Sequence, residues 1–419
     1  MTQIRELSVA EARDRVLARL RPLDAESVTL ADAQGRVLAQ DASSDIDVAP
    51  FDNSMMDGFA VRAADLAGAG PALPISLDVM GAVFAGQDGV GVRVERGRAV
   101  RIMTGAPVPA GADAVVMVER TTLVSGDGGA GSQVAFGHAP AEGENIRRRG
   151  EEVAAGGVVL AAGEVVDPAA VGLLAATGNA VVRVHRPPRV AVLSTGDELV
   201  APDALPGPGQ IRDVNSPMLT ALVVQAGGVP IEFVRVGDDE AATREALLGA
   251  AASADAVVVS GGVSVGDRDF VGELLGELGE VYCDRIAMRP GAPNTLGRLS
   301  GVPFFGLPGN PTSAWVGFHL FVRPALRRMV GFVTLDRPVM MARLSHDVGK
   351  KQDRPYYVRG RLSRSADGLI VASSGGQSSA LLTAAHCANC LIVLERPAGT
   401  VPAGTLVTCL RLDAEEGTP

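Results

Sequence analysis

The chain is predicted to be multidomain α/β plus β: a central, mostly parallel sheet with helices on both faces, an inserted β domain and a small C-terminal β domain. Three observations lead there. Its 419 residues exceed what one hydrophobic core usually organises, so roughly two to four domains are expected. Between residues 188 and 331, near-continuous Val, Ile and Leu runs alternate with helix-compatible stretches, the pattern of parallel strands buried on both faces. In two other regions short apolar runs are separated by Gly and Pro, which reads as β structure with tight connections.

Taken in order, the chain opens with a helix over residues 8–21, because Ser8 followed by Glu11 is a capping-box pattern. A second amphipathic piece is expected over 30–39. Strands at 99–103 and 114–118 mark a β region, and the Gly-rich stretch 126–132 reads as a hairpin tip. Helix-compatible sequence returns at 168–176, so the pieces flanking the β region are expected to pack together and make it an insertion. From 188 the rhythm is strand–loop–helix: strands at 189–193, 229–236, 256–259 and 302–305, helices at 216–226, 241–252 and 270–278, and a long helix at 312–329. Short strands at 356–362, 369–371, 390–394 and 406–410 then form the C-terminal β domain. The expected boundaries are 1–47 with 140–187 as a discontinuous linker and helical domain, 48–139 as the insertion, 188–331 as the α/β domain, and 332–419 as the last.

Composition narrows the function classes. A net charge of −10 disfavours nonspecific nucleic-acid binding, which needs a basic face, but leaves an anionic small molecule open because local Arg and backbone N–H groups can hold one. No apolar stretch is long enough to cross a membrane and no apolar signal block opens the chain, so a cytoplasmic protein is expected. Lysine occurs only at Lys350 and Lys351, a bias that makes Arg in place of Lys weak evidence of altered chemistry. The four cysteines (Cys283, Cys387, Cys390 and Cys409) are too few for a disulfide framework, and the Cys387–Cys390 spacing has no second pair to complete a zinc site. Core thiols are expected.

In open α/β sheets ligands bind beyond the carboxyl ends of the strands, where this chain places its polar, Gly-rich segments. These are Ser194-Thr195-Gly196-Asp197-Glu198, Gly237-Asp238-Asp239, Ser260-Gly261-Gly262-Val263-Ser264-Val265-Gly266-Asp267 followed by Asp269, and Leu307-Pro308-Gly309-Asn310-Pro311-Thr312-Ser313. Glycine lets backbone N–H groups approach an anion, and a helix N-terminus adds a favourable dipole. The hydroxyls of Thr195, Ser264 and Ser313 can donate to phosphate or oxyanion oxygens. The carboxylates of Glu198, Asp238, Asp267 and Asp269 would repel an anion unless a cation lies between, which is what a Mg²⁺-bridged phosphate site requires. Any one of these loops reads equally well as a turn or helix cap; four at one sheet edge point to a ligand. None is a Walker A sequence.

Three of these loops, Thr195-Gly196-Asp197-Glu198, the run from Ser260 to Asp267, and Leu307-Pro308-Gly309-Asn310-Pro311, resemble the signature loops of the molybdopterin molybdenumtransferases, the family that contains the gephyrin E domain. Further matches run in order along the chain: Phe51-Asp52-Asn53-Ser54-Met55-Met56-Asp57-Gly58-Phe59-Ala60, Met103-Thr104-Gly105-Ala106-Pro107, Arg149-Gly150-Glu151-Glu152, Gly209-Gln210-Ile211-Arg212-Asp213, Gln377-Ser378-Ser379-Ala380-Leu381 and Ala388-Asn389. The resemblance implies a homodimer of four-domain protomers whose active site is completed by the partner's inserted β domain. It implies adenylylated molybdopterin and molybdate as substrates, and Mg²⁺-dependent cleavage of the pterin–AMP phosphoanhydride that leaves molybdenum on the dithiolene. It carries a catalytic or metal-positioning role to Asp57, the role of hydroxyl donor to the nucleotide phosphate to Thr104, and Mg²⁺ binding or orientation of the attacking oxygen to Glu198, Asp238 and Asp267. Thr195, Gly196, Asp197, Ser260, Gly261, Gly262, Ser264, Pro308, Gly309, Asn310 and Ser313 become cofactor-binding residues. Handover to or from other proteins of cofactor biosynthesis is implied as well.

The chain departs from the pattern at one loop. The family's oxyanion loop usually reads Lys-Pro-Gly-Lys-Pro; here it is Arg289-Pro290-Gly291-Ala292-Pro293. Arg289 keeps a charge in a different geometry. Ala292 loses the second, and one charge-assisted hydrogen bond, about 1.5–3 kcal/mol, corresponds to roughly tenfold to a hundredfold in oxyanion affinity. Arg359 matches the family's other anion-binding arginine and Ser378 or Ser379 its serine, while Arg354 and Arg361 are the candidates for compensating Ala292. Glu152 stands where the family usually has Asp. Two alternatives follow: a diverged paralogue acting as a non-catalytic pterin-binding scaffold or handover protein, against which the retained carboxylates argue, and adenylyl transfer to the pterin, against which the Asp57 motif and the extra domains argue.

Overall fold

The computed structural model describes residues 6–262, 270–366, 368–395 and 397–414, with the backbone alone for 232–234. Its centre is a six-stranded sheet in the order Val229–Val236, Arg189–Thr195, Ala256–Ser260, Val302–Leu307, Thr295–Leu299, Gly279–Cys283. The first four strands are parallel, while Thr295–Leu299 runs against them and pairs antiparallel with both its neighbours, so the loops leaving the first four strands all emerge at one edge.

Alternation along the strands divides the core. Val190, Val192 and Val258 face the helices Asn215–Gln225 and Arg323–Val330, while Ala191, Leu193, Val257 and Val259 face Glu240–Ser253 and Phe270–Leu278. The N-terminal helix, Val9–Leu17, lies on the first of these faces through Ala12 and Val16. Both halves of its capping box form: Ser8 Oγ accepts from Glu11 N at 3.2 Å, and Ser8 N donates to Glu11 Oε2 at 2.9 Å.

Three antiparallel pairings zip the two flanks of the inserted region together. Ala25–Thr29 pairs with Val181–His185, Ala42–Ser43 with Val158–Leu160, and Asn53–Ser54 with Ile146–Arg147. Between them stands a second six-stranded sheet in the order Ala114–Met117, Gly58–Val61, Arg98–Ile102, Ile75–Val83, Gln133–Phe136, Thr121–Ser125, packed around Phe59, Leu77 and Phe136. The Gly126–Ser132 stretch is the tip of the last hairpin, as expected. At the C-terminal end five strands close a barrel around Val358, Val371 and Ile392: Val339–Leu344, Gly368–Ser373, Tyr356–Ser365, Cys390–Leu394 and Leu406–Arg411.

Several elements differ from expectation. The helix expected at 30–39 stops at Ala33, because Gly35 takes a φ of 76° and its N–H is drawn away to Val166 O at 2.8 Å. The helix expected at 312–329 runs in three consecutive parts: Pro311–Gly317, a π-helical turn over Phe318–Val322, and Arg323–Val330. Pro324 has no N–H to donate, and the widened turn before it removes the need for that bond. The two antiparallel strands, Gly279–Cys283 and Thr295–Leu299, and the barrel strand Val339–Leu344 were not expected. Cys283, Cys390 and Cys409 are the buried thiols anticipated, but Cys387 is exposed. No described helix is long and apolar enough to cross a membrane.

Candidate active site

Three of the four strand-end loops touch. Gly261 and Gly262 have φ values of 92° and 65°, and a Cβ on either would press on Thr195, so glycine is required by conformation and by space together. Gly309 lies against Gly261, whose N–H donates to Leu307 O at 3.1 Å. The contacts are fastened from below by residues to which sequence reasoning assigned no role. Asn215 Nδ2 donates to Ser260 Oγ and to Gly309 O, both at 2.7 Å, bridging two loops. Buried Asp213 accepts from Asn215 N, Ser216 N and Ser216 Oγ, and Ser216 Oγ lies 2.6 Å from Ser194 Oγ. The signal that could have found this network is the run Asp213-Val214-Asn215-Ser216 at a helix start, where short polar side chains bond backbone N–H groups.

Beside them Gly196 N donates to Val236 O at 3.1 Å, and Asp197 Oδ1 accepts from Asp238 N at 2.9 Å, so the first two loops are joined too. The Glu198 carboxylate folds back beside Gly196, where a Cβ would collide with it. Glu198 and Asp238 therefore stand on neighbouring strand ends and offer hard carboxylate oxygens of the kind Mg²⁺ prefers. Among the described residues no group of three His, Cys, Asp or Glu gathers to hold a metal. Asp267 and Asp269, the other two carboxylates expected, lie outside the described residues, as does Ser264.

A cavity of about 700 Å³ opens between the α/β sheet and the barrel. Its walls include Arg289 to Pro293, then Pro308, Asn310 and Ser313, and from the barrel side Arg359, Gln377, Ser378 and Ser379. Arg285, Arg289, Lys351, Arg354 and Arg359 bring five cations to it, with no Asp or Glu among the described wall residues. Arg359 is almost wholly buried; its Nη2 donates to Gly376 O at 3.2 Å and Ser378 O at 3.0 Å. Burial pushes its guanidinium down to about 10, which still leaves it charged at neutral pH. Arg361 is not part of the wall and Arg354 is. Pro308, Gly309 and Asn310 border both neighbourhoods, since Gly309 meets Gly261 while its two neighbours face the cavity.

Asp57 and Thr104 meet each other beside two neighbouring strands of the inserted sheet, Gly58–Val61 and Arg98–Ile102. Asp57 Oδ1 accepts from Thr104 N at 2.8 Å and Thr104 Oγ1 at 2.7 Å, and these two bonds, with the charge of Arg101, hold its carboxyl below the usual range. The two motifs around them are paired, with Gly105 N donating to Ser54 O at 2.8 Å and Val108 N to Asp52 O at 2.9 Å. Asp52 in turn holds Arg149 N at 2.8 Å and Arg148 Nη1 at 2.7 Å. Among the described residues neither Asp57 nor Thr104 shares a hydrogen bond, ion pair or cavity wall with residues 188–331 of the same chain.

Comparison with known proteins decides the family. Residues 7–178 match the model described as MoeA N-terminal region (domain I and II), residues 191–328 the probable molybdopterin binding domain, and residues 341–412 the MoeA C-terminal region (domain IV). A molybdopterin molybdenumtransferase of Haemophilus influenzae is 39% identical over 405 residues, covering 96% of this chain and 98% of its own. The chain belongs to the molybdopterin molybdenumtransferase family. A second member, molybdopterin molybdenumtransferase 2 of Mycobacterium tuberculosis, is 40% identical over 408 residues, 95% of this chain and 98% of its own. The crystal structure of a molybdopterin biosynthesis MoeA protein from Pyrococcus horikosii superposes with a TM-score of 0.82 at 31% identity, covering 98% of this chain and 100% of that one. The multidomain α/β plus β architecture is thus the one this family adopts.

Proposed function

We propose that the protein is a molybdenum insertase, a transferase that accepts adenylylated molybdopterin and molybdate, releases AMP and leaves molybdenum on the pterin dithiolene. The observation that carries this reading is the pairing of a glycine-lined cradle with a cationic cavity, whose described wall residues include no carboxylate, across one shared loop of Pro308, Gly309 and Asn310. The cradle suits a phosphate, because its glycines bring backbone close and Thr195 lies beside them. The cavity suits a tetrahedral dianion, because Arg289 and Arg359 supply charge and Ser378, Ser379 and Ser313 stand on its walls.

In this reading Thr195, Gly196, Asp197, Ser260, Gly261 and Gly262, with Ser264, hold the pterin and its phosphate. Glu198 and Asp238, with Asp267, would hold Mg²⁺, which when bound offsets the negative charge of the phosphoanhydride. An oxygen nucleophile attacks phosphorus, the bridging P–O bond breaks, and AMP departs. Asp57 stays ionised through its bonds from Thr104 and orients the attacking side of this reaction. Because Asp57 and Thr104 stand apart from the strand-end loops of their own chain, a homodimer in which the partner's inserted domain completes the site accounts for both clusters. The division into 1–47 with 140–187, 48–139, 188–331 and 332–419 belongs to the same proposal, with the N-terminal helix laid across the α/β sheet. So do a cytoplasmic location and exchange of substrate or product with other proteins of the cofactor route.

Anaerobic incubation of the purified protein with adenylylated molybdopterin, Mg²⁺ and graded molybdate tests it. AMP release that rises with molybdate and disappears in Asp57→Ala is the expected result. Tight pterin binding without AMP release at any molybdate concentration would overturn it and leave a handover protein.

A further inference from the structure

The 700 Å³ cavity carries an inference beyond the proposed reaction, resting on the reading of that cavity as the oxyanion site. Its five cations are not equally disposed. Arg359 is committed to two backbone carbonyls of the 376–378 loop and sits at the floor. Arg289 reaches over the Tyr356 ring, with its guanidinium carbon 5.9 Å from the centroid. Arg354 is different, because it meets a carboxylate from outside the wall: its Nη1 lies 3.4 Å from Glu6 Oε1, and the same oxygen lies 3.6 Å from Arg285 Nε.

The chain is built to hold this carboxylate there. Leu7 bridges to Ile286 in parallel fashion, with Leu7 N donating to Arg285 O at 3.3 Å and Ala287 N to Leu7 O at 2.8 Å. On the opposite side the same loop pairs with the barrel: Arg289 N donates to Pro355 O at 3.0 Å and Tyr357 N to Arg289 O at 2.8 Å. The segment carrying Arg285, Arg289 and Ala292 is therefore held between the N-terminal segment and the barrel strand, with Glu6 and Arg354 brought in from its two sides. The turn bearing Arg354 is pinned as well, since Tyr356 Oη accepts from Lys351 N at 3.0 Å and Gln352 N at 3.1 Å.

We propose that Arg354 is a direct oxyanion contact that supplies the charge Ala292 does not, and that Glu6 is its internal counter-ion, competing with the oxyanion for Arg354 and Arg285. Two consequences follow. Arg354 is a binding residue for the tetrahedral dianion, and a planar fork at that place donates two parallel bonds where a lysine would give one. Glu6 is a positioning residue that sets oxyanion affinity through Arg354 and does not touch the ligand. An ion pair this exposed is weak, so a dianion that gains several contacts at once outcompetes it.

The test is calorimetric titration of molybdate alone into the full-length protein, with wild type, Arg354→Gln, Arg354→Lys, Glu6→Gln and the double variant compared at one ionic strength. Arg354→Gln is expected to weaken binding by about tenfold or more, with Arg354→Lys restoring part of it. Glu6→Gln is expected to tighten binding by about twofold to fivefold, and that gain is expected to fall in the double variant to the part that Arg285 alone supplies. A structural role for Glu6 predicts weaker binding in both backgrounds and would overturn the counter-ion assignment. Unchanged affinity in Arg354→Gln, while Arg359→Gln abolishes binding, would overturn the role of Arg354 and leave the cavity as the oxyanion site. No binding by wild type would remove that reading of the cavity itself.

Discussion

Asp57 and Asn215 are each held by short hydrogen bonds, one on the inserted domain and one beneath the strand-end loops. Asp57 is solvent-accessible, and its depressed ionisation comes first from the Thr104 backbone N–H, then from the Thr104 hydroxyl. A group depressed in this way stays charged above its folded value and loses its bonds only as pH falls through it. Thr104→Val keeps the backbone bond and removes the hydroxyl. The Asp57 carboxyl is therefore expected to titrate at higher pH, read by carbon-detected NMR, and the acid limb of AMP release is expected to move up with it. An unmoved titration would mean that the hydroxyl bond has no hold on the carboxylate. Asn215→Ala removes the donor shared by Ser260 and Gly309, leaving the buried Ser260 hydroxyl without that donor. A loss of about 1–3 kcal/mol of stability is expected in denaturant titration.

At the scale of elements, the glycine loop is the most constrained. Gly261 combines a φ of 92° with a Cβ direction that runs into Thr195, so Gly261→Ala meets backbone strain and a steric clash at once. A non-glycine residue held left-handed costs about 1–2 kcal/mol before the clash is counted. Weakened pterin binding with only modest loss of folding stability is expected, because the loop stands at the sheet's edge and not in its core; fluorescence titration with molybdopterin reads it. Elements rich in apolar residues and bounded by turn signals were legible from sequence: helices Pro168–Ala176 and Phe270–Leu278, and strands Val229–Val236 and Cys390–Leu394. Strands Gly279–Cys283 and Thr295–Leu299 were not, because Gly279, Glu280 and Gly297 interrupt the apolar signal. Their glycines answer to tertiary contact: a Cβ at Gly279 would strike Arg298 O, and one at Gly297 would strike Glu280 O. The same division holds for the site. The loops declare themselves through Gly, Pro and Asp, whereas the Asn215 bridge and the Glu6–Arg354 pair join residues far apart in sequence.

Across the whole molecule, the α/β sheet is tied to the linker strand before it by Arg186 and Asp255. Arg186 donates through both terminal nitrogens, at 2.6 and 2.7 Å, and Arg189 N adds a third bond at 2.8 Å. Arg186 is the main cause of the lowered ionisation of Asp255. The carboxylate therefore contributes stability above the ordinary Asp range and loses it as pH falls through its depressed folded value. Asp255→Asn is expected to cost about 1 kcal/mol at neutral pH, and the difference from wild type is expected to shrink as acid protonates the wild-type carboxyl. Melting curves at neutral and strongly acidic pH check the sign. On the same scale, three short antiparallel strand pairs join the two flanks of the inserted sheet.

In the proposed dimer, Asp57 of one copy serves the strand-end loops of another in a single AMP-releasing site. Mixing Asp57→Ala protein with Asp238→Ala protein, after dissociation and reassociation, tests it most directly through molybdate-dependent AMP release. Each variant alone is expected to be inactive. An equal mixture is expected to recover about a quarter of wild-type activity, because half the dimers are mixed and each of those holds one intact site of two. Two inactive variants that stay inactive when mixed, though they form mixed dimers, would contradict the account.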